Sequence, residues 1–247
     1  MKLQRRLSLV ISACTAAALL LTSCSGNQSA ANVASGNPQS GGTLTYSFNT
    51  DAQSLDPAMC AFGAGFASCQ AVFGALMYYN VTSHEFEPGM AESLESGDGK
   101  IWTLKLRPNV TFTDGTPFDA DAVAFNWQRA LDPALLSPSA TAAGSITWIV
   151  TDPLTVEITS NDVNYQLPLA MTETLAYIGS PTAIKNKGPD FGNAPVGAGP
   201  FTLKSWARGT EMILDRNPNF WDQPRPYVDQ LVIKTIPADD QRFNASV

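Results

Sequence analysis

The apolar and polar positions divide this chain into three zones. From Leu7 to Leu21 it is apolar except for Ser8, Ser12 and Thr15, behind a basic head of Lys2, Arg5 and Arg6. That is the layout of a secretory signal, and the run is short of the roughly 20 residues that cross a bilayer. An ordinary secreted protein and an uncleaved anchor are the two alternatives. From Ser25 to Ser40 only small and polar residues occur apart from Val33, too little apolar surface to bury, so this stretch is expected to be a flexible tether. A folded body is expected from Gly41 onward.

Within the body the periods alternate between two and about 3.6. Leu44, Tyr46 and Phe48 interleave with Thr43, Thr45 and Ser47, which predicts a strand with those three residues in the core. Ser54-Leu55-Asp56-Pro57 reads as a turn. Gln70–Tyr79 is apolar enough for a buried helix. Trp102, Leu104 and Leu106 predict a second strand, Val110 and Phe112 flank Thr111 in a third, and Thr113–Thr116 is a turn with Gly115 free to take positive φ. The helix after it is the best marked. Asp119 suits the N-cap, Phe118 and Val123 form a hydrophobic staple, and Asp121 favours the helix dipole. Its buried face is expected to be Val123, Trp127, Ala130 and Leu131, and Asp132-Pro133 ends it.

Leu154, Val156 and Ile158 predict another strand, and Val163–Ala176 a helix broken early by Pro168. Asn186–Pro200, rich in Gly, Pro and Asn, reads as a loop. Two strands, Phe201–Trp206 and Glu211–Asp215, surround a turn at Gly209, and Leu231–Ile236 is the last strand. Asp239-Asp240 opens a helix that runs into Val247, so a continuation beyond Val247 is expected. Mixed strands and helices point to an α/β or α+β fold.

Charge narrows the chemistry. The chain carries 15 basic and 22 acidic residues, and loss of the signal leaves 12 against 22 with no block of Lys or Arg. Nucleic-acid binding needs a basic footprint, so no nucleic-acid partner is expected. Cys14 falls in the signal, which leaves Cys60 and Cys69 in the body. In an oxidising compartment this pair reads as a disulfide; metal binding is the rival, with one His in the chain and no zinc spacing.

No catalytic group stands out. His84 sits in a polar turn, no Gly-x-Ser-x-Gly elbow occurs, and Gly197-Ala-Gly-Pro lacks the Lys-Ser/Thr of a phosphate loop. Asp119, Asp121 and Asp132 lack calcium-loop spacing and suit caps and turns. Trp102, Trp127 and Trp148 are expected in the core. No cofactor is implied.

Two resemblances add to this reading. Ser23 followed by Cys24 is similar to the lipobox of bacterial lipoproteins, in which that cysteine is diacylated. The body resembles the family 5 extracellular solute-binding proteins. The likeness rests on Gly42–Tyr46 with Ser54–Pro57, on Glu87–Leu94 with Trp102–Gly115, on Phe118–Asn126, and on Gly197–Phe201 with Arg216–Trp221.

The resemblance implies a type II periplasmic-binding-protein-like fold: a first lobe plus an extra subdomain, with the second lobe missing. It divides the chain into a signal (1–23), a tether (24–40), a first-lobe sheet domain (41–79 and 198–247) and an inserted subdomain (80–197). It implies a lipid anchor at Cys24, and Asn49, Thr50, Asp51 and Ser54 at the edge of a ligand cleft, where surface-turn capping is the competing role. It implies a membrane-tethered receptor feeding a peptide or similar small solute to an ABC permease and its ATPase, on the extracytoplasmic face. An exported enzyme, or an adhesin or receptor lipoprotein whose functional residues lie elsewhere, is the alternative.

Overall fold

The computed structural model describes residues 38–60 and 63–245. In chain order the elements are β1 (Thr43–Phe48), α1 (Ala64–Phe73), β2 (Met77–Asn80), β3 (Glu85–Pro88), β4 (Ala91–Glu95), β5 (Ile101–Leu106) and α2 (Ala120–Ala130). They continue with α3 (Ala140–Gly144), β6 (Ile146–Asp152), β7 (Thr155–Ser160), α4 (Leu167–Ala170), α5 (Pro181–Lys187), β8 (Phe201–Ala207), β9 (Glu211–Arg216), β10 (Gln230–Thr235) and α6 (Asp239–Ala245). Short 3₁₀ turns occupy Pro57–Met59, Pro133–Leu135 and Gly188–Asn193. The mixed α/β expectation holds.

The first and last described strands of the body lie side by side. β1 runs parallel to β10, with Leu44 opposite Leu231 and Tyr46 opposite Ile233. β10 pairs antiparallel with β9, and β9 with β8, so the sheet order is β1-β10-β9-β8. The predicted strand is present, but its burial is not as expected. Leu44 is 40% and Tyr46 49% exposed, and only Phe48 packs partly against the core. Alternation reports which face a residue shares; it says nothing of whether a neighbour covers that face, and β1 is an edge strand.

The helix expected over Gln70–Tyr79 begins and ends earlier. Gly74, at φ 69°, takes the cap conformation that stops α1, and β2 follows to pair with β3 in a hairpin. The apolar run continued across two elements because burial extends from α1 through Met77 at the start of β2.

The second four-stranded sheet, β4-β5-β7-β6, is antiparallel throughout. Beneath it lies α2, built as its sequence requires: Asp119 Oδ1 accepts from Ala122 N at 2.9 Å, and Phe118 and Val123 are both buried. Leu131, expected in the core, is instead the C-cap and is exposed. Trp102 and Trp127 are in the core, with Trp148 packed against it. Strand β6 has no counterpart in the sequence reading, because its outward Ile149 broke the alternation.

Three further expectations change. Val110–Phe112 forms only an isolated bridge, Thr111 to Pro117, around the turn. Val163–Ala176 is a four-residue α4 among turns, with Pro168 at its start. Asn186–Pro200 is not all loop, since α5 and the 3₁₀ turn Gly188–Asn193 enter it. Tyr177, Ala183, Ile184 and Phe191 pack into the core of the first sheet together with α1.

Asn126 on α2 ties that segment down. Its Nδ2 donates to the carbonyl of Gly179 at 2.9 Å, and its Oδ1 accepts from Gly179 N at 3.1 Å. Close backbone contact completes the junction. A Cβ on Gly199 would stand 2.5 Å from Gly74 N, so the chain entering β8 can pass α1 only as glycine.

Candidate ligand-binding edge

β1 delivers the chain to the end of the first sheet, and Asn49–Ser54 turns away from it. Asn49 and Thr50 are exposed there. Thr50 Oγ1 lies 4.0 Å from the position a Cβ on Gly63 would occupy, so this loop borders the start of α1. Cys60 and Cys69 are joined across that start, with Cα atoms 6.1 Å apart.

Asp51 has a different position from its two neighbours. Oδ1 accepts from Trp206 Nε1 at 3.0 Å and Oδ2 from Gly209 N at 2.8 Å. Both oxygens therefore hold the β8–β9 turn. Ser54 is half-buried, and its Oγ accepts from Asp56 N at 3.2 Å. The structure thus leaves Asn49 and Thr50 outward and gives Asp51 and Ser54 partners within the protein. Removing Asp51 should destabilise the fold: Asp51→Ala is expected to cost about 1–3 kcal/mol, read as a lower urea midpoint, and Asp51→Asn less.

The sequence reading missed the partners of this loop. Arg208 Nη1 donates to the carbonyls of Ala52 (3.3 Å) and Gln53 (2.9 Å), and Nη2 donates to Asn193 Oδ1. Its guanidinium carbon sits 3.3 Å over the Trp206 ring. The only sequence signal was a Trp-Ala-Arg-Gly turn between two strands, and nothing there shows which distant carbonyls the arginine meets.

Asp56 anchors the loop from below. It caps the 3₁₀ turn through Ala58 N at 3.0 Å and takes a two-pronged ion pair from Arg129 of α2, both contacts 2.6 Å. The pair joins the end of the loop to the helix under the second sheet.

At the opposite end of β1 lies a wider apolar groove of about 850 Å³. Leu44, Tyr78, Phe201, Phe220 and Trp221 line it, and Arg107 stacks 3.9 Å over Trp221.

Hydroxyl, carboxylate and imidazole groups of catalytic type are engaged structurally. Ser180 Oγ donates to Asp114 Oδ2 at 2.6 Å while accepting from Ala183 N at 3.1 Å, which caps α5. Burial pushes the Asp114 carboxyl up, but the hydroxyls of Ser180 and Thr116 outweigh it and leave the group below the usual carboxylate range. His84 shares an exposed hydrogen bond with Tyr79 at 3.1 Å. Among the described residues no three His, Cys, Asp or Glu side chains cluster as metal ligands, and no helix is long and apolar enough to cross a membrane. Cys24 lies outside the described residues.

Comparison with known proteins decides the family. Residues 85–246 match the middle part of the bacterial extracellular solute-binding proteins, family 5. The chain belongs to that family. The periplasmic oligopeptide-binding protein OppA of Salmonella typhimurium is 29% identical over 80% of this chain and 40% of its own length. The glutathione-binding protein GsiB of Shigella flexneri is 31% identical over 62% of this chain and 30% of its own. Among solved structures, the ABC transporter-associated periplasmic binding protein DppA from Helicobacter pylori, in complex with the peptide STSA, superimposes with a TM-score of 0.73 at 26% identity. That match covers 84% of this chain and 45% of DppA. NikA from Brucella suis gives 0.69 at 30% identity, over 83% of this chain and 41% of NikA. This family 5 chain therefore has the fold of periplasmic binding proteins and spans about two-fifths of the length of the relatives it matches.

Proposed function

We propose that this chain is one lobe and the adjoining subdomain of a tethered receptor. It captures a peptide or similar small solute outside the cytoplasmic membrane and passes it to an ABC permease and its ATPase. The observation that carries the reading is the family match over residues 85–246 together with the shared fold.

In this reading residues 41–79 and 198–247 are the sheet lobe. Residues 80–197 are the insertion, from which Tyr177, Ala183, Ile184 and Phe191 fold back onto the lobe core. Asn49 and Thr50 face the solute at the end of β1, where backbone groups can pair with an extended peptide. Asp51 and Ser54 shape that edge from behind. Closure of two lobes around the solute is a hinge motion, and Cys24 with the polar tether holds the receptor at the membrane. Acyl chains contribute about 0.8 kcal/mol per buried CH₂, so a Cys24→Ala protein should move from the membrane to the soluble fraction.

Uptake in cells tests the function. Deleting the gene should abolish accumulation of a labelled peptide from a mixed pool, and restoring it should recover accumulation. Unchanged uptake of every peptide in the pool would overturn the proposal.

A further inference from the structure

The hollow at the end of β8 has a chemistry that the peptide-receptor reading leaves unused. Its volume is about 370 Å³, and Lys187, Asn193, Lys204, Ser205, Trp206 and Arg208 are among its lining residues, with no carboxylate among them. Beyond the signal the chain has only 12 basic residues against 22 acidic ones. Three cations around one small hollow therefore run against the charge of the whole.

What matters is how those charges are balanced. Arg208 is held by the carbonyls of Ala52 and Gln53 and by the amide oxygen of Asn193, all neutral acceptors. Lys187 donates to the carbonyl of Ala194. Among the described residues neither forms an ion pair. Lys204 does pair with Asp215 at 3.3 Å, but both groups are well exposed, where such pairs exchange readily. The nearby Asp51 has both oxygens occupied by Trp206 and Gly209.

Arg208 is also preorganised, fixed by three acceptors on two segments and by the Trp206 face beneath it. Three of its five N–H groups are used in those bonds, which leaves two donors on a planar cation. A guanidinium so held matches carboxylate and phosphate oxygens in geometry as well as charge. The hollow is of small-ligand size.

We propose that this hollow is a binding site for a small oxyanion, the carboxylate or phosphate group of a low-molecular-weight solute, with Arg208 as its anchor and Lys187 and Lys204 as flanking charges. The site needs neither a second lobe nor a permease, so it stands apart from the transport reading.

Calorimetric titration of the purified chain tests it, with sodium phosphate and sodium succinate as separate probes in chloride buffer at constant ionic strength. A saturable one-to-one isotherm in the millimolar range or tighter is expected with at least one, and which one names the oxyanion. Arg208→Gln should weaken binding about tenfold or more, the loss of one charge-assisted contact. Because Arg208 also holds those two segments, Lys187→Gln is the second variant and should weaken binding several-fold in a folded protein. Lys105→Gln, at an exposed position of β5 in the other sheet, should change nothing. No saturable heat from either salt, or equal weakening by Lys105→Gln, would overturn the assignment.

Discussion

Arg129→Met, with Asp56 left in place, should lower the unfolding free energy by about 3–5 kcal/mol. Asp56 is only 8% exposed, and its carboxylate takes both prongs of the Arg129 guanidinium at 2.6 Å. Removing the cation strands a buried charge whose remaining partner from this set is Ala58 N. Removing both charges together, as Asp56→Leu with Arg129→Met, should cost much less, because no unpaired charge remains inside. Urea denaturation of the two single variants and the double variant gives the coupling directly. A near-additive result would mean that the pair does not tie the loop to α2.

Trp127→Ala is the second large effect, expected at about 3–5 kcal/mol. The indole is 2% exposed at the centre of the core beneath the second sheet. It meets Trp148 edge-on at 5.6 Å, and its Nε1 donates to the Leu175 carbonyl at 3.0 Å. Truncation leaves a cavity and an unpaired carbonyl together. Trp127→Phe keeps most of the volume and should lose less. Trp127→Ala should also loosen the Leu175–Gly179 segment, read as faster amide exchange there, since Asn126 alone would then hold it to α2.

Much of this fold was legible because local rules and tertiary packing agreed. Asp119, Phe118 and Val123 marked α2 by cap and staple, and each occupies its expected place. The paired strands β8 and β9 followed from alternation around Gly209. Reading failed where the deciding partner was distant in sequence. Tyr46 alternates like a core residue, yet β1 lies at a sheet edge and the ring is exposed. The apolar run at Gln70–Tyr79 hid a helix end, since burial continues across Gly74 into β2.

The candidate edge shows the same limit. Asn49 to Ser54 could be located as a loop after the opening strand. That Asp51 holds Trp206 and Gly209, some 155 residues onward, could not. Arg208 carried no motif at all; β1 and β8 lie at opposite edges of the sheet, and its place over Trp206 and against Ala52 and Gln53 comes from the loop after β1, which reaches the β8–β9 turn.

Solute capture without chemistry is the central claim, and native mass spectrometry tests it most directly. The proposed receptor carrying these residues is mixed with a defined peptide pool, desalted and sprayed, and the bound species is released and weighed. The account predicts one intact peptide per protein, its mass unchanged after prolonged incubation. Cleaved or modified peptide, or no retained peptide from any pool, would contradict it.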